Sequence, residues 1–304
     1  MNKIEFGDCR ETMRRWAGEG VKVQTCVTSP PYFGLRDYGH DGQIGLEETP
    51  EQYIEAMVEV FSCVKNILAD DGTLWLNIGD TYSADRWSEG GGQPMNKHKD
   101  VHRSGAHKKN SGLPAKNLIG IPWMLAFALR ADGWYLRQDI IWNKPNPMPE
   151  SVTDRCTKAH EYIFLMSKSP KYYYDFEAIK EEGVIAAGTL AAKGSAERQN
   201  QKGVNARPPE YKEYDGQRNK RSVWTVTTKP YEGAHFAVFP TDLIEPCILA
   251  GAPVGGVVLD PFMGSGTTAQ VAQSLGRQYL GCELNPEYAP LQKKRLAQQS
   301  LILE

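Results

Sequence analysis

The 304-residue sequence lacks the features typical of a membrane-spanning or disulfide-rich protein. No run approaches the roughly 18 to 20 apolar residues that a transmembrane helix needs, and the polar start MNKIEFGDCRE lacks the pattern of a signal peptide. The six cysteines are scattered without a CxxC pair, which indicates neither a disulfide framework nor a zinc site. We therefore expect a reduced, cytoplasmic protein without a membrane partner or a metal.

Two common nucleotide-binding patterns are also missing. The stretch VVLDPFMGSGTT matches neither GxGxxG nor a phosphate loop, because no lysine follows Gly266. It does place Asp260 at a strand end before a glycine turn and a helix, and Glu283 follows 23 residues later at the end of the next strand. A helix N-terminus favours a carboxylate, and an acid at the second strand end can bind ribose hydroxyls. This arrangement predicts an adenosine-type cofactor with an amino-acid group, such as S-adenosylmethionine, and argues against a dehydrogenase.

Predicted strands and helices alternate along the chain. The predicted strands are residues 3–6, a run ending at Thr28, and residues 73–78, 135–142, 162–166, 256–260 and 278–283. Alternation with helices predicts an α/β fold with a doubly wound, mostly parallel sheet. Residues 135–142 and 162–166 are joined without a helix and are expected to pair antiparallel. Ligands should bind at the carboxyl ends of the parallel strands.

Two basic stretches interrupt an otherwise acidic chain. Residues 86–116 hold seven Lys or Arg against two acids, and residues 193–221 hold eight against four, although the formal net charge is −2. Both are poor in aliphatic residues and have the composition of loops or inserts. Taken alone, either stretch could be explained as a solvated loop. Two such stretches in one chain favour a polyanionic partner.

The stretch TSPPY at residues 28–32 ends a strand with two consecutive prolines. The prolines remove two backbone donors and fix two φ angles, so the strand stops in a rigid turn. At the carboxyl end of a parallel strand, such a turn presents Ser29, the Pro30 carbonyl and Tyr32 to a ligand. A proline turn beside a core tyrosine is the structural alternative.

Several blocks together carry a resemblance that covers nearly the whole chain. TSPPY resembles the catalytic motif of the amino-methylating DNA methyltransferases, and DPFMGSGTT at residues 260–268 resembles their S-adenosylmethionine motif. The blocks GDC, GTLWLNIGDTY, IIWNKPNPMPES, HEYI and HFAVFP stand in the order of the circularly permuted β group, in which the catalytic motif precedes the cofactor motif. The resemblance implies a permuted Rossmann-like methyltransferase fold with a seven-stranded sheet.

The resemblance also implies three regions and a set of site residues. The regions are a catalytic half at residues 1–175 with a basic insert at 83–116, a target-recognition region at 176–234 and a cofactor-binding half at 235–304. Asp260 and the turn would hold the methionine end of the cofactor, Glu283 its ribose and Asp8 its adenine, although Asp8 could equally cap the following helix. The implied cofactor residues are Asp8, Phe239, Thr241, Asp260, Phe262, Gly264, Ser265, Gly266, Thr267 and Glu283. The implied catalytic residues are Ser29, Pro30, Pro31 and Tyr32.

The chemistry expected at this turn follows from the target amine. An exocyclic amine of cytosine or adenine is a poor nucleophile, and acceptors at Ser29 and Pro30 would let its lone pair point at the methyl group. The base must leave the duplex to be reached, and Tyr32 would stack on it. Expected pocket neighbours are Phe33, Asp80 and Tyr82. By resemblance, a serine in the first position of the four-residue motif SPPY, here Ser29, favours cytosine N4 as the target, and adenine N6 is the alternative.

The expected partner is duplex DNA with one flipped base. Candidate DNA contacts are Lys97, Lys99, Lys108, Lys109, Arg198, Lys202, Arg207, Arg218, Lys220 and Arg221. The resemblance is compatible with a homodimer and with a restriction–modification system, but no nuclease motif is visible in the chain and the nuclease partner is unknown. Competing hypotheses are an RNA or protein-amide methyltransferase and a nucleotide-binding protein without catalysis; the permuted motif order argues against the first, and intact motif residues against the second.

Overall fold

A computed structural model describes most of the chain. The described residues are 1–35, 37, 39–83, 112–184, 188, 190–192, 211–213, 215–228 and 239–300, with the backbone alone at 190–192, 211–213 and 298–300. The chain divides into two compact units, one formed by Met1–Tyr174 with Ser222–Glu304 and the other by Asp175–Arg221. None of the described helices combines the length and apolarity needed to cross a membrane.

Strands and helices alternate as predicted. The strands are β1 (Lys3–Phe6), β2 (Val23–Thr28), β3 (Leu68–Ile78), β4 (Tyr135–Asn143), β5 (His160–Ser167), β6 (Glu181–Glu182), β7 (Leu190–Ala192), β8 (Tyr211–Glu213), β9 (Gln217–Arg218), β10 (Val223–Thr225), β11 (Val257–Asp260) and β12 (Gln278–Glu283). The α-helices are α1 (Cys9–Gly18), α2 (Pro50–Ile67), α3 (Ile121–Ala131), α4 (Thr241–Gly251), α5 (Thr267–Ser274) and α6 (Ala289–Ser300). Short 3-10 helices lie at Glu177–Ile179 and Pro286–Tyr288.

The first unit contains an eight-stranded sheet in the order β1-β12-β11-β2-β3-β5-β4-β10. Every neighbouring pair is parallel except β3 with β5 and β4 with β5, so β5 alone runs against the other strands. The predicted mostly parallel α/β sheet and its antiparallel exception are therefore confirmed. The sheet has one strand more than the seven implied by the resemblance, because the short strand β10 pairs with the outer edge of β4.

Local sequence signals explain where the main elements begin and end. Helix α2 starts with a reciprocal capping box, in which Thr49 accepts from the Gln52 backbone and Gln52 caps Thr49 in return, and Pro50 occupies the first helical turn. Strand β3 begins at Leu68, directly after this helix and earlier than the predicted start at residue 73. Leu68 is paired with Val23 on β2, which extends the strand backwards.

Large side chains under the helices hold the sheet rigid. Helices α1, α2 and α3 contribute to one core cluster against the sheet, with Trp16, Tyr53 and Phe61 fully buried. Trp75 and Phe164 on β3 and β5 are also buried. A sheet packed in this way fixes the edge from which the loops of the candidate site emerge.

The second unit is small and built from paired strands. Strand β6 pairs antiparallel with β9, and β7 pairs antiparallel with β8. The carboxylate of Glu181 on β6 accepts hydrogen bonds from Arg218 at 2.9 Å and from Arg221 at 2.6 Å. Ion pairs therefore link the strand ends within this unit.

Candidate active site

The carboxyl ends of the parallel strands bring the predicted site residues to one edge of the sheet. Asp8, Ser29, Asp260 and Glu283 stand at or just after the ends of β1, β2, β11 and β12. Strands β1 and β12 are neighbours, with Phe6 opposite Glu283, as the permuted order implies. Because β11 pairs with both β12 and β2, the glycine turn lies between Glu283 and the TSPPY turn.

The TSPPY turn is rigid and partly buried. Ser29 and Tyr32 are half-buried, and the buried Tyr53 hydroxyl donates to the Pro31 carbonyl at 2.9 Å. No donor among the described residues contacts the Pro30 carbonyl. The hydrogen bond from the core residue Tyr53 thus holds Pro31 in place. The Pro30 carbonyl and the Ser29 hydroxyl are left as candidate acceptors.

The glycine turn after β11 has the backbone geometry that its sequence predicts. Gly264 and Gly266 adopt φ angles of 53° and 89°, in the left-handed region that favours glycine. Helix α6 supports the turn through Gln292, whose side chain donates to the Gly264 carbonyl at 2.7 Å, and through Arg295, which contacts the Thr267 hydroxyl. The hydroxyl of Ser265 is buried without a hydrogen-bond partner among the described residues. A polar ligand group could supply that partner.

Asp260 lies deeper than a simple ligand contact would require. Its side chain is buried, and its two oxygens accept hydrogen bonds from Thr28 and Thr268 at 2.6 Å each and from the Phe262 backbone at 3.0 Å. Burial raises the pKa of this carboxyl to about 6 in spite of those hydrogen bonds. Because Thr28 directly precedes Ser29, Asp260 ties the glycine turn to the TSPPY turn.

Glu283 closes the other side of the glycine turn. Its carboxylate accepts from the Gly264 backbone at 2.7 Å and from the Asn285 backbone at 2.8 Å. Burial raises the pKa of Glu283 to about 6, and the nearby charge of Asp260 adds to the shift. Two buried carboxyls on either side of one turn favour a ligand that carries positive charge.

Three other predicted cofactor residues have varied surroundings. Asp8 caps α1 by accepting from the Arg10 backbone at 2.7 Å, and the bound Arg10 side chain lowers the pKa of Asp8. The capping alternative is therefore confirmed, and an adenine contact stays a prediction. Phe239 is half-buried just before α4. Thr241 lines a groove with Gln270 and other residues of α4 and α5.

Comparisons with known proteins show which family this chain belongs to. A family model described as DNA methylase matches residues 23–294. The Type II methyltransferase M.Cfr9I of Citrobacter freundii is 49% identical over 292 residues, which cover 95% of this chain and 86% of M.Cfr9I. The chain belongs to the DNA methylase family. It is a DNA methyltransferase of the group that modifies the amino groups of cytosine N4 or adenine N6, and this family uses S-adenosylmethionine.

Solved structures share the fold of this methyltransferase. The M1.HpyAVI–SAM complex superposes with a TM-score of 0.57 at 18% identity, covering 97% of this chain and 100% of M1.HpyAVI. The PvuII DNA methyltransferase, described as cytosine-N4-specific, superposes with a TM-score of 0.62 at 18% identity, covering 97% of this chain and 86% of the PvuII enzyme. At these identities the likeness concerns the fold.

Sequence reasoning missed the group that contacts Tyr32 in the methyltransferase. The Tyr32 hydroxyl donates to Glu161 Oε2 at 2.7 Å, and Glu161 also binds Asn77 and Lys144. The blocks GTLWLNIGDTY, IIWNKPNPMPES and HEYI contain these residues. The sequence did hold a signal for this contact. Because β5 was expected to run antiparallel, its first residues, including Glu161, should lie at the edge of the sheet where the parallel strands end.

The expected neighbours of the target pocket have structural contacts of their own. Phe33 is buried and its ring centroid lies 5.7 Å from that of Tyr53. Asp80 accepts from the backbones of Gly120 and Ile121 at 3.0 and 3.1 Å, and so caps α3. Tyr82 lies under Arg155, whose guanidinium carbon is 4.2 Å from the ring centroid. Phe33 is therefore part of the core.

Most candidate DNA contacts fall outside the described residues. These are Lys97, Lys99, Lys108, Lys109, Arg198, Lys202 and Arg207. Arg218 and Arg221 are described and share Glu181 as their partner, whereas Lys220 is half-buried between them. For these three residues a role in DNA binding stays a prediction.

Proposed function

We propose that this methyltransferase transfers a methyl group from S-adenosylmethionine to the exocyclic amine of a flipped base in duplex DNA, with cytosine N4 as the favoured target. The observation that carries the proposal is the 2.6 Å bond between Thr28 and Asp260, because it joins the candidate acceptors to the glycine turn. Methyl transfer needs the target amine and the methyl donor held in line, and this hydrogen bond between the two turns would help to keep their proposed binding groups aligned.

The residues of the glycine turn fit the proposed cofactor. When bound, S-adenosylmethionine supplies an electrophilic methyl group on a positively charged sulfur. The buried carboxyls of Asp260 and Glu283 complement positive charge, and the Ser265 hydroxyl offers a hydrogen bond that the described residues leave unused. Glu283 is proposed to bind the ribose hydroxyls, since its carboxylate oxygens keep further lone pairs beside their two backbone donors.

Ser29 and the Pro30 carbonyl are proposed to accept the two N–H groups of the target amine. Their hydrogen bonds would turn the nitrogen lone pair out of conjugation with the ring. When the nitrogen takes the methyl group, the sulfur–methyl bond would break with its electron pair left on sulfur. The methylated amine would then release one proton to water, so neither acceptor needs to hold a full charge beforehand. Tyr32 is proposed to stack on the flipped base, which requires one face of its half-buried ring.

Tritium transfer to DNA tests the reaction itself. The purified protein should transfer labelled methyl groups from S-adenosylmethionine to duplex DNA, and excess duplex DNA should compete much better than RNA. Ser29→Ala should retain cofactor affinity and lose transfer rate. A wild-type protein that labels RNA or protein in preference to DNA would contradict the proposal.

The target base requires a separate measurement. Cytosine and adenine amines present the same two N–H donors, so Ser29 favours cytosine by resemblance and does not exclude adenine. Methylated DNA should be digested to nucleosides and analysed by mass spectrometry. N4-methylcytosine is the expected product, and N6-methyladenine alone would overturn the cytosine assignment while leaving DNA methylation intact.

The basic stretches are proposed to bind DNA, with base readout in residues 176–234 and phosphate contacts from the insert at 83–116. Phosphate contacts make affinity salt-dependent, whereas base contacts determine the sequence that is methylated. Neutralising Lys97, Lys99, Lys108 and Lys109 together should flatten the salt dependence of binding without changing the methylated sequence. Neutralising the exposed pair Lys293 and Lys294 on α6 is the matched control. An unchanged salt slope in the fourfold variant would refute this role.

A further inference from the structure

A carboxylate behind the TSPPY turn is held by three donors. Tyr32 Oη donates to Glu161 Oε2 at 2.7 Å, and Asn77 Nδ2 lies 3.3 Å from the same oxygen. The other oxygen, Oε1, forms an ion pair with Lys144. The side chains of Glu161 and Lys144 are only 15% and 18% exposed. Water therefore has little access to this carboxylate, and its contacts with the protein determine its position.

The ring of Tyr32 is also fixed by packing. A Cβ atom at Gly79 would lie 2.7 Å from Tyr32 Cε2, so the glycine leaves just enough room for the ring edge. On the far side of the carboxylate, Lys144 Nζ lies 4.2 Å from the centroid of the Trp142 ring. Both ends of the Tyr32–Glu161–Lys144 group are thus anchored to strands or to the residues directly after them.

The hydrogen bonds of this group run in one direction. An ionised carboxylate can only accept, and burial together with the Glu161 charge holds the pKa of Tyr32 well above its ordinary value, so Tyr32 donates to Glu161. The oxygen of Tyr32 can then accept from the Ser29 hydroxyl, which lies 3.5 Å away, at the outer limit of a hydrogen bond. With its proton aimed at Tyr32, Ser29 presents lone pairs on its other side.

We propose that Glu161 is a positioning residue that fixes the Tyr32 ring and, through the Tyr32 hydroxyl, orients Ser29 as a hydrogen-bond acceptor for the target amine. The inference rests on the proposed function, because it concerns the step in which Ser29 contacts the amine. The amine carries two N–H donors, so a serine proton aimed at it would be repulsive. Glu161 prevents that arrangement because it accepts the proton of Tyr32, which leaves the Tyr32 oxygen able to accept the proton of Ser29.

The decisive variant is Glu161→Gln. A glutamine has nearly the same shape, but its amide can donate to Tyr32 and allow the chain of hydroxyls to reverse. We expect the single-turnover rate of methyl transfer to fall roughly 10- to 100-fold, the loss typical of one hydrogen bond to a charged group. The affinity for S-adenosylmethionine and the KM for DNA should stay near their wild-type values, because Glu161 contacts neither glycine turn nor DNA in this proposal.

Glu5→Gln is a matched control. Glu5 is also a partly buried glutamate on a strand, and it accepts from the Trp16 indole at 3.1 Å and pairs with Lys3 at 2.7 Å. The same substitution there should leave the transfer rate unchanged.

A double-mutant cycle separates positioning from general damage. Tyr32→Phe removes the same hydrogen bond from the other side and keeps the Glu161–Lys144 pair. It should lower the rate to a similar extent, and Glu161→Gln should add less than threefold in the Tyr32→Phe background. Should Glu161→Gln fail to fold, the single Tyr32→Phe variant decides through its transfer rate and its affinity for S-adenosylmethionine.

Several outcomes would overturn the inference. A wild-type rate in Tyr32→Phe would refute it, as would full additivity of the two substitutions. A loss confined to cofactor affinity would assign Glu161 to the fold of the site instead. These outcomes differ from failure of the proposed function, in which the wild-type protein itself would not methylate duplex DNA.

Discussion

Replacing Asp260 with asparagine tests whether a buried charge connects the two turns of the site. Asp260 is 1% exposed, and three donors surround its carboxylate. Burial raises its pKa to about 6, whereas an unfolded chain should titrate near the ordinary value for aspartate. Asparagine keeps the size of the side chain and removes the titration.

The sign and size of the pH effect follow from this difference. A folded pKa above the unfolded pKa means that the folded state binds the proton more tightly, so stability is greatest at low pH and is lost as the pH rises through 6. For one carboxyl shifted from about 3.9 to about 6, the free energy of unfolding should rise by about 1.3 kcal/mol between pH 7 and pH 5. Asp260→Asn should lack this rise.

Urea unfolding of the cofactor-free protein, followed by tryptophan fluorescence at pH 5, 6 and 7, would measure the difference between the two proteins. Glu283 titrates in both, so the comparison reports Asp260 and its repulsion with Glu283. Asp154→Asn is the control: Asp154 is an exposed partner of Lys116 and its pKa is lowered, so this variant should keep the wild-type rise in the free energy of unfolding between pH 7 and pH 5.

A positively charged ligand should have the opposite pH dependence, because its binding should strengthen as the pH rises through 6. Positive charge beside Asp260 favours its ionised form, so S-adenosylmethionine should bind more tightly at pH 7 than at pH 5 and should release protons in calorimetry near pH 6. The reasoning would be refuted if wild type and Asp260→Asn kept the same stability difference at pH 5 and pH 7. That result would mean that Asp260 has an ordinary pKa despite its burial.

Three further predictions concern ligand binding, packing and thiol reactivity. Glu283→Ala should weaken binding of S-adenosylmethionine in calorimetry while Ser29→Ala should not, and equal affinity for Glu283→Ala and wild type would contradict the ribose assignment. Gly251→Ala should lower the free energy of unfolding by about 1–3 kcal/mol, because its Cβ would meet polar atoms of β2 and β3 at 2.6 and 2.8 Å. Gly18→Ala, where the added Cβ would meet open space, is the control. Equal melting temperatures for Gly251→Ala and the wild type would argue against the clash. One of six thiols, Cys156, should react rapidly in the native protein since the other five are buried, and labelling of a second thiol at the same rate would contradict this burial.

Much of the fold could be predicted from local patterns. Strands at residues 3–6 and 278–283 have the predicted bounds, because short apolar runs between turn signals specify them. The start of β3 was predicted too late, since Asp70, Asp71 and Gly72 form a polar turn signal that pairing with β2 overrides. Strand β10 was missed because three residues carry almost no periodic pattern, and its pairing with β4 alone makes it a strand.

The sequence by itself determined the chemistry at the strand ends of this methyltransferase. Two prolines after Thr28 fix two φ angles, and two glycines after Asp260 permit the left-handed backbone of a tight turn, so both turns could be located without a structure. Only the tertiary structure decided which side chains meet there. Thr28 reaches Asp260 across 232 residues and Tyr32 reaches Glu161 across 129, because sheet order and the reversed direction of β5 bring distant strand ends to one edge. Contacts at such separations depend on strand pairing, which no local pattern encodes.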